Sequence, residues 1–187
     1  MSETYIADKT ISNRNSIEKG EYENCTLVGC DFSEGNLSGF KFIDCTFIEC
    51  NLSLVNLTNT VFREVQFLEC KLLGLRFEDC NDFGLSFSFE SCQMTHSSFY
   101  KMKLKKTVFK ACQLIGVDFT EADLSGACFD GCELNEAVFL QTNLEKADFR
   151  NAIGYEIDPE QNRIKSAKFS LQGVPGLLLK YGINIEE

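Results

Sequence analysis

Large apolar residues recur at every fifth position along most of this chain. The series opens with Tyr22, Leu27, Phe32 and Leu37 and runs unbroken to Phe77. It restarts at Phe89 and continues to Phe149, and every member except Tyr22 and Met94 is Leu or Phe. Two positions before each large residue stands a small one, mostly Gly, Ala, Ser, Thr, Val or Cys; the other three positions are mostly polar. A period of five matches neither the helical repeat of 3.6 nor the strand repeat of 2. It predicts a chain that turns a corner every five residues, with the large and the small residue pointing inward and three facing water. Four sides of five close one coil, so the expected fold is an all-β solenoid of six or so coils stacked ~4.8 Å apart.

Residues one coil apart must then form columns. Two pentapeptides and two extra residues separate Phe77 from Phe89, which predicts a two-residue bulge near 81–85. With that bulge allowed, the second side reads Leu27, Phe47, Phe67, Phe89, Phe109, Phe129, Phe149, a ladder of Phe rings above the first rung. The first side reads Tyr22, Phe42, Phe62, then Leu104, Leu124, Leu144, and Phe83 is expected to fill the gap between them. Leu75, Phe87 and Met102 are large for the small-residue position, so the coil should widen around the bulge.

Cys30, Cys50, Cys70, Cys92, Cys112 and Cys132 fall in one inward file, and Cys25 and Cys45 begin a second. Metal binding needs ligands that converge on a point, with spacings such as CxxC. None occurs, and a column does not converge. These cysteines read as small apolar core fillers, with no metal and no cofactor. Cys128 falls at an outward position. The single histidine, His96, also faces outward, with no nucleophile–base set around it and no phosphate-binding glycine loop anywhere, so no enzymatic activity is expected.

Residues 1–19 read as a degenerate N-terminal cap in which Ile17 keeps the register, 20–152 as the repeat domain, and 153–187 as a C-terminal cap. In the tail, Pro175 and Gly182 bracket a predicted short helix, and Ile183 and Ile185 alternate like a short strand. Leu177, Leu178, Leu179, Ile183 and Ile185 are more apolar surface than one coil end needs. They can serve both as a lid over the last coil and as a seam, and a homodimer joined end to end through a shared two-fold patch at about 170–185 is expected. Ala167-Lys168-Phe169 is one last repeat-like unit.

The formal charge is −10, from 28 acidic and 18 basic residues. That excludes a nucleic-acid binder that relies on phosphate contacts. No apolar run is long enough for a membrane span, and MSETYIADKT lacks a signal-peptide core, which implies a cytoplasmic protein. Lys101, Lys103, Lys105, Lys106 and Lys110 cluster mid-chain, three of them on the first side near Lys41 and Arg63.

Units such as Ala122-Asp123-Leu124-Ser125-Gly126 and Ala147-Asp148-Phe149-Arg150-Asn151 resemble the pentapeptide-repeat family. The resemblance implies a right-handed quadrilateral β-helix. The tail, with Leu171-Gln172-Gly173-Val174, Leu177-Leu178 and Gly182-Ile183, resembles the quinolone-resistance (Qnr-type) branch. That implies a homodimeric, acidic, DNA-mimicking rod that binds DNA gyrase or topoisomerase IV. The alternative is a structural or scaffold module with an unrelated protein partner.

Overall fold

The computed structural model describes residues 4–186; residues 1–3 and 187, the outermost parts of the two caps, lie outside the described residues. The chain winds as a four-sided parallel solenoid. On the first side, strands Thr4–Ala7, Gly20–Glu23, Lys41–Ile43 and Val61–Arg63 form a four-stranded parallel sheet. On the second, seven parallel strands run in register from Thr10–Ser12 to Cys128–Asp130. The other sides are linked by single bridges between residues such as Asn51 and Lys71, or Ser98 and Asp118.

The register follows the column rule. Phe47 pairs with Phe67, Phe67 with Phe89, Phe89 with Phe109 and Phe109 with Phe129. Rings on the second side stack 4.6–5.4 Å apart from Phe47 through to Phe169. A second aromatic column stands beside it and changes side at the bulge. Up to the third coil it is Tyr22, Phe42 and Phe62 on the first side; from Phe77, just ahead of the bulge, it continues through Phe99, Phe119 and Phe139 on the fourth. The two columns meet edge to face, as at Phe99–Phe109, 5.9 Å and 80°, the arrangement that sets ring edge against the π face.

The bulge is where that transfer happens, and it corrects one expectation. Phe83 does not fill the gap: it is 75% exposed. Asn81 fixes the loop by accepting the Phe83 backbone N–H at 3.0 Å. The gap is filled by Phe87, with rings of Phe62, Phe77, Phe89 and Phe99 around it, and by the partly buried Leu85. Leu75 and Met102 are buried beside them. Placing Phe87 at a small-residue position needs a wider coil, and the two extra residues supply it.

Nearly every corner has one residue in the left-handed region. Along the third side these are Glu34, Leu54, Gly74, His96, Gly116 and Glu136, with φ between 56° and 63°. β-Branched side chains are genuine outliers in that region, and none among the described residues occupies such a corner.

The first coil is short. Ile6 stacks under Tyr22 and Ile11 under Leu27, sixteen residues apart and not twenty. Ile17 packs against the core. At the other end stacking passes 152: the Leu144 N–H donates to the Arg163 carbonyl and that of Phe149 to the Lys168 carbonyl. Asn162, at a small-residue position, is buried and donates to the Phe139 and Asp158 carbonyls.

The predicted tail helix is present as 3-10 helix over Leu171–Leu177 and Leu179–Tyr181, capped by Ser170 at its start and by Gly182 with φ 59° at its end. It begins before Pro175. Side chains at Gly173 or Gly176 would overlap Tyr155, so these glycines let the tail backbone lie directly on the last coil. No strand forms at Ile183 and Ile185, which have no ladder partner among the described residues and are 55% and 53% exposed.

Candidate functional site

The six cysteines of the main file are all buried, and all ten cysteines are free thiols. The file lies at the corner that follows the second-side strands. There most S–H groups donate to the carbonyl of the large residue one coil back: Cys50 to Leu27 at 3.4 Å, Cys70 to Phe47 at 3.5 Å, Cys92 to Phe67 at 3.3 Å and Cys132 to Phe109 at 3.4 Å. Thr60 and Thr142 hydroxyls make the same bond at their corners, to Leu37 and Phe119. The small inward residue is therefore also a donor to a core carbonyl, and at Leu37 and Phe119 it adds to the backbone N–H of Phe40 and Ala122 that these oxygens already accept. Burial pushes the Cys45 thiol up to about 11. At Cys45 the thiol so held protonated bonds the Tyr22 and Ile43 carbonyls, which makes it a poor nucleophile and a poor metal ligand. Among the described residues, no group of three His, Cys, Asp or Glu side chains is placed to hold a metal ion. His96 stands at its outward corner, away from the core.

The four sides of the outer surface differ in charge. On the second side Glu49, Glu69, Glu90, Asp130 and Asp148 outnumber Lys110, Arg150 and Lys168. On the fourth, Glu78, Asp79, Asp118 and Glu121 outnumber Arg76 and Lys101. Cations on these sides are bonded to acids of the same side: Lys110 to Glu90 at 2.7 Å, Arg150 to Asp148 at 2.7 Å, Arg76 to Glu78 at 3.3 Å and Lys101 to Glu121 at 3.4 Å. The third side has Asp31 and Glu34 at one end and Glu133 and Glu136 at the other. Between them it is uncharged, with Asn51, Ser53, Gln93 and Gln113, except for Lys71.

The first side is the exception. The mid-chain lysine cluster divides, with Lys101 on the fourth side, Lys110 on the second, and Lys103, Lys105 and Lys106 together on the first. Lys146, Arg163 and Lys165 extend that basic strip. Asp123 pairs with Lys105 at 3.4 Å and Glu145 with Arg163 at 2.8 Å.

At the C-terminal end, Leu177 packs on the core and Leu178 is partly covered, whereas Leu179, Ile183 and Ile185 are about half exposed. Val138, Leu140 and Ile153 continue this apolar end. A cleft of about 620 Å³ separates the tail from the last coils, lined by Val138, Leu140, Ile157, Leu177 and Leu179. Lys180 bridges it from the tail, bonding Asp158 at 2.6 Å and Glu160 at 2.7 Å. The Lys180 ammonium holds the Asp158 carboxyl below the usual carboxylate range.

The profile of the pentapeptide repeat region matches residues 21–88 and 85–172, and the chain belongs to that family. Its solenoid is the right-handed quadrilateral β-helix. Two solved structures of QnrB1, described as a plasmid-mediated fluoroquinolone resistance protein, share this fold. Both are trypsin-treated forms of single-substitution variants. One aligns at TM-score 0.60 and 22% identity, over 98% of each chain. The other aligns at TM-score 0.54 and 22% identity, also over 98% of each chain. No curated protein matches the sequence. No helix among the described residues is long and apolar enough to cross a membrane.

Proposed function

We propose that this protein is a non-enzymatic binding rod whose acidic sides take the place of duplex DNA at a type II topoisomerase, DNA gyrase or topoisomerase IV. The observation that carries this reading is the segregation of charge. Cations on the second and fourth sides are largely tied to neighbouring acids, so those sides present surplus carboxylates, while the later coils gather their lysines on the first side. A DNA-binding groove is lined with Lys and Arg and attracts such a surface by the same electrostatics that attract phosphate. The fold it shares with QnrB1 supports the reading. The exposed Leu179, Ile183 and Ile185 support an end-to-end homodimer through the tail, which would double the rod.

A second reading, a scaffold module for an unrelated protein, is favoured by the uncharged middle of the third side, which offers amide and hydroxyl groups in place of a phosphate-like row. Gyrase supercoiling assays with the purified protein, with and without a fluoroquinolone, separate the two. Topoisomerase binding gives either relief of drug inhibition or inhibition of supercoiling, weakened by Glu49→Lys/Glu69→Lys. No effect at any protein concentration would leave the scaffold reading.

A further inference from the structure

The first side carries opposite charge on its two halves, and the sign changes at the bulge. Four rungs precede it (Ile6, Tyr22, Phe42, Phe62) and four follow it (Leu104, Leu124, Leu144, Ile164). On the leading half the outward residues include Asp8, Glu21, Glu23, Asp44 and Glu64, against Lys41 and Arg63. On the trailing half they include Lys103, Lys105, Lys106, Lys146, Arg163 and Lys165, against Asp123 and Glu145. Among the described residues Lys103, Lys106, Lys146 and Lys165 have no ion-pair partner. At the point of reversal stands Phe83, 75% exposed, with the Arg63 guanidinium 5.3 Å from its ring centre.

We infer that this side is a docking face for a second copy of the chain, lying antiparallel, with a two-fold axis at the bulge. Rotation about an axis along the strand direction reverses the rungs but preserves the columns. The first rung after the bulge then faces the first rung before it, which sets Lys106 against Glu64 of the second copy. One rung further out, Asp123 faces Lys41, opposite charges that each already have a partner in their own chain, Lys105 at 3.4 Å and Glu21 at 3.3 Å. Arg63 faces Lys105, and Glu23 faces Glu145. These two like-charge contacts oppose the pairing and are softened where Asp123 bonds Lys105 at 3.4 Å and Arg163 bonds Glu145 at 2.8 Å. Phe83 of each copy falls at the centre, where a buried aromatic contributes most to an interface.

Eight rungs and the bulge, at ~4.8 Å each, make a face about 40 Å long. At roughly 12 Å wide it buries on the order of 500 Å² per copy, the lower end for a specific interface. The pairing is therefore weak, reversible and sensitive to salt. It covers the basic side and leaves the three other sides exposed. It stands apart from the topoisomerase reading and from the tail seam.

Sedimentation of the full chain carrying Leu179→Asp/Ile183→Asp, which removes the tail seam, tests it. A dimer is expected at roughly 50 mM NaCl and monomer at roughly 500 mM, where charges are screened within about 4 Å. Glu64→Lys or Lys106→Glu alone should weaken the dimer about tenfold, and the two together should restore it, because each swapped residue meets the other's swapped partner. Phe83→Ser should also weaken it. A monomer at low salt would overturn the proposal. So would a double swap no better than either single one, or a dimer that persists at high salt and ignores Phe83→Ser.

Discussion

Phe109 and Phe129 lie face to face, ring centres 5.1 Å apart and planes within 3°, although twenty residues separate them in the chain. Phe89 stacks on the other face of Phe109 at 5.2 Å, and Phe99 and Phe119 meet it edge-on. Phe109 is fully buried, so Phe109→Ala removes a whole ring with no space to collapse into. The expected cost is ~3–5 kcal/mol. Each coil is buried only by its neighbours, so the damage should spread along the rod and lower the cooperativity of urea unfolding. A neutral result would mean that the ladder is not the core.

The two Phe residues of the bulge should behave oppositely. Phe87→Ala removes a ring packed among Phe62, Phe77 and Phe89 and should cost about 3 kcal/mol or more. Phe83→Ser changes an exposed side chain and should fall within about 0.5 kcal/mol of the parent. Chemical denaturation of both variants under one set of conditions checks the contrast, and equal losses would place Phe83 in the core after all.

Alkaline pH should unfold the rod early. Burial raises the Cys45 thiol to about 11, and the Tyr22 phenol, which donates to the Glu18 carbonyl, is pushed up to about 12. Both are acids whose neutral form is favoured in the folded state. Their contribution is complete below the unfolded values near 9 and 10, and it is lost as pH rises through the folded ones. Thermal melts should therefore show Tm falling from about pH 9 upward. Cys45→Ala should flatten the first part of that fall, at some cost in stability at neutral pH.

The tail is clasped by Lys180 between Asp158 and Glu160. The depressed Asp158 and Glu160 carboxyls, both held down first by the Lys180 bond, make the clasp fully present above ordinary carboxylate pKa values. It is lost as pH falls through their lowered ones. Amide exchange across residues 171–182 should accelerate in acid before the coils loosen. Lys180→Met should give the same local acceleration at neutral pH, with the rest of the rod unchanged. Uniform exchange along the whole chain would show that the clasp is not local.

The period of five determined most of this molecule without reference to any partner. A corner every five residues leaves one arrangement of inward columns, so the Phe ladder and the Cys file can be read from spacing alone. A further signal lay in the same pattern: the corner position carries no β-branched residue, because the left-handed backbone there excludes one. The tertiary structure decided what spacing does not encode. The register already put Phe87 inside; that it alone fills the first-side gap while Phe83 stays out depended on which could reach the rings of Phe62, Phe77 and Phe89 across coils. The first coil closes in sixteen residues because Ile6 and Ile11 find their columns while a shortened third side brings Ile17 back to the core. The cysteine donors found their acceptors only when one coil lay against the next. The ion pairs on the rod's surface came from the same source: spacing places Lys103, Lys105 and Lys106 on the first side, but that Lys105 meets Asp123 and Lys110 meets Glu90 depends on how adjacent coils lie.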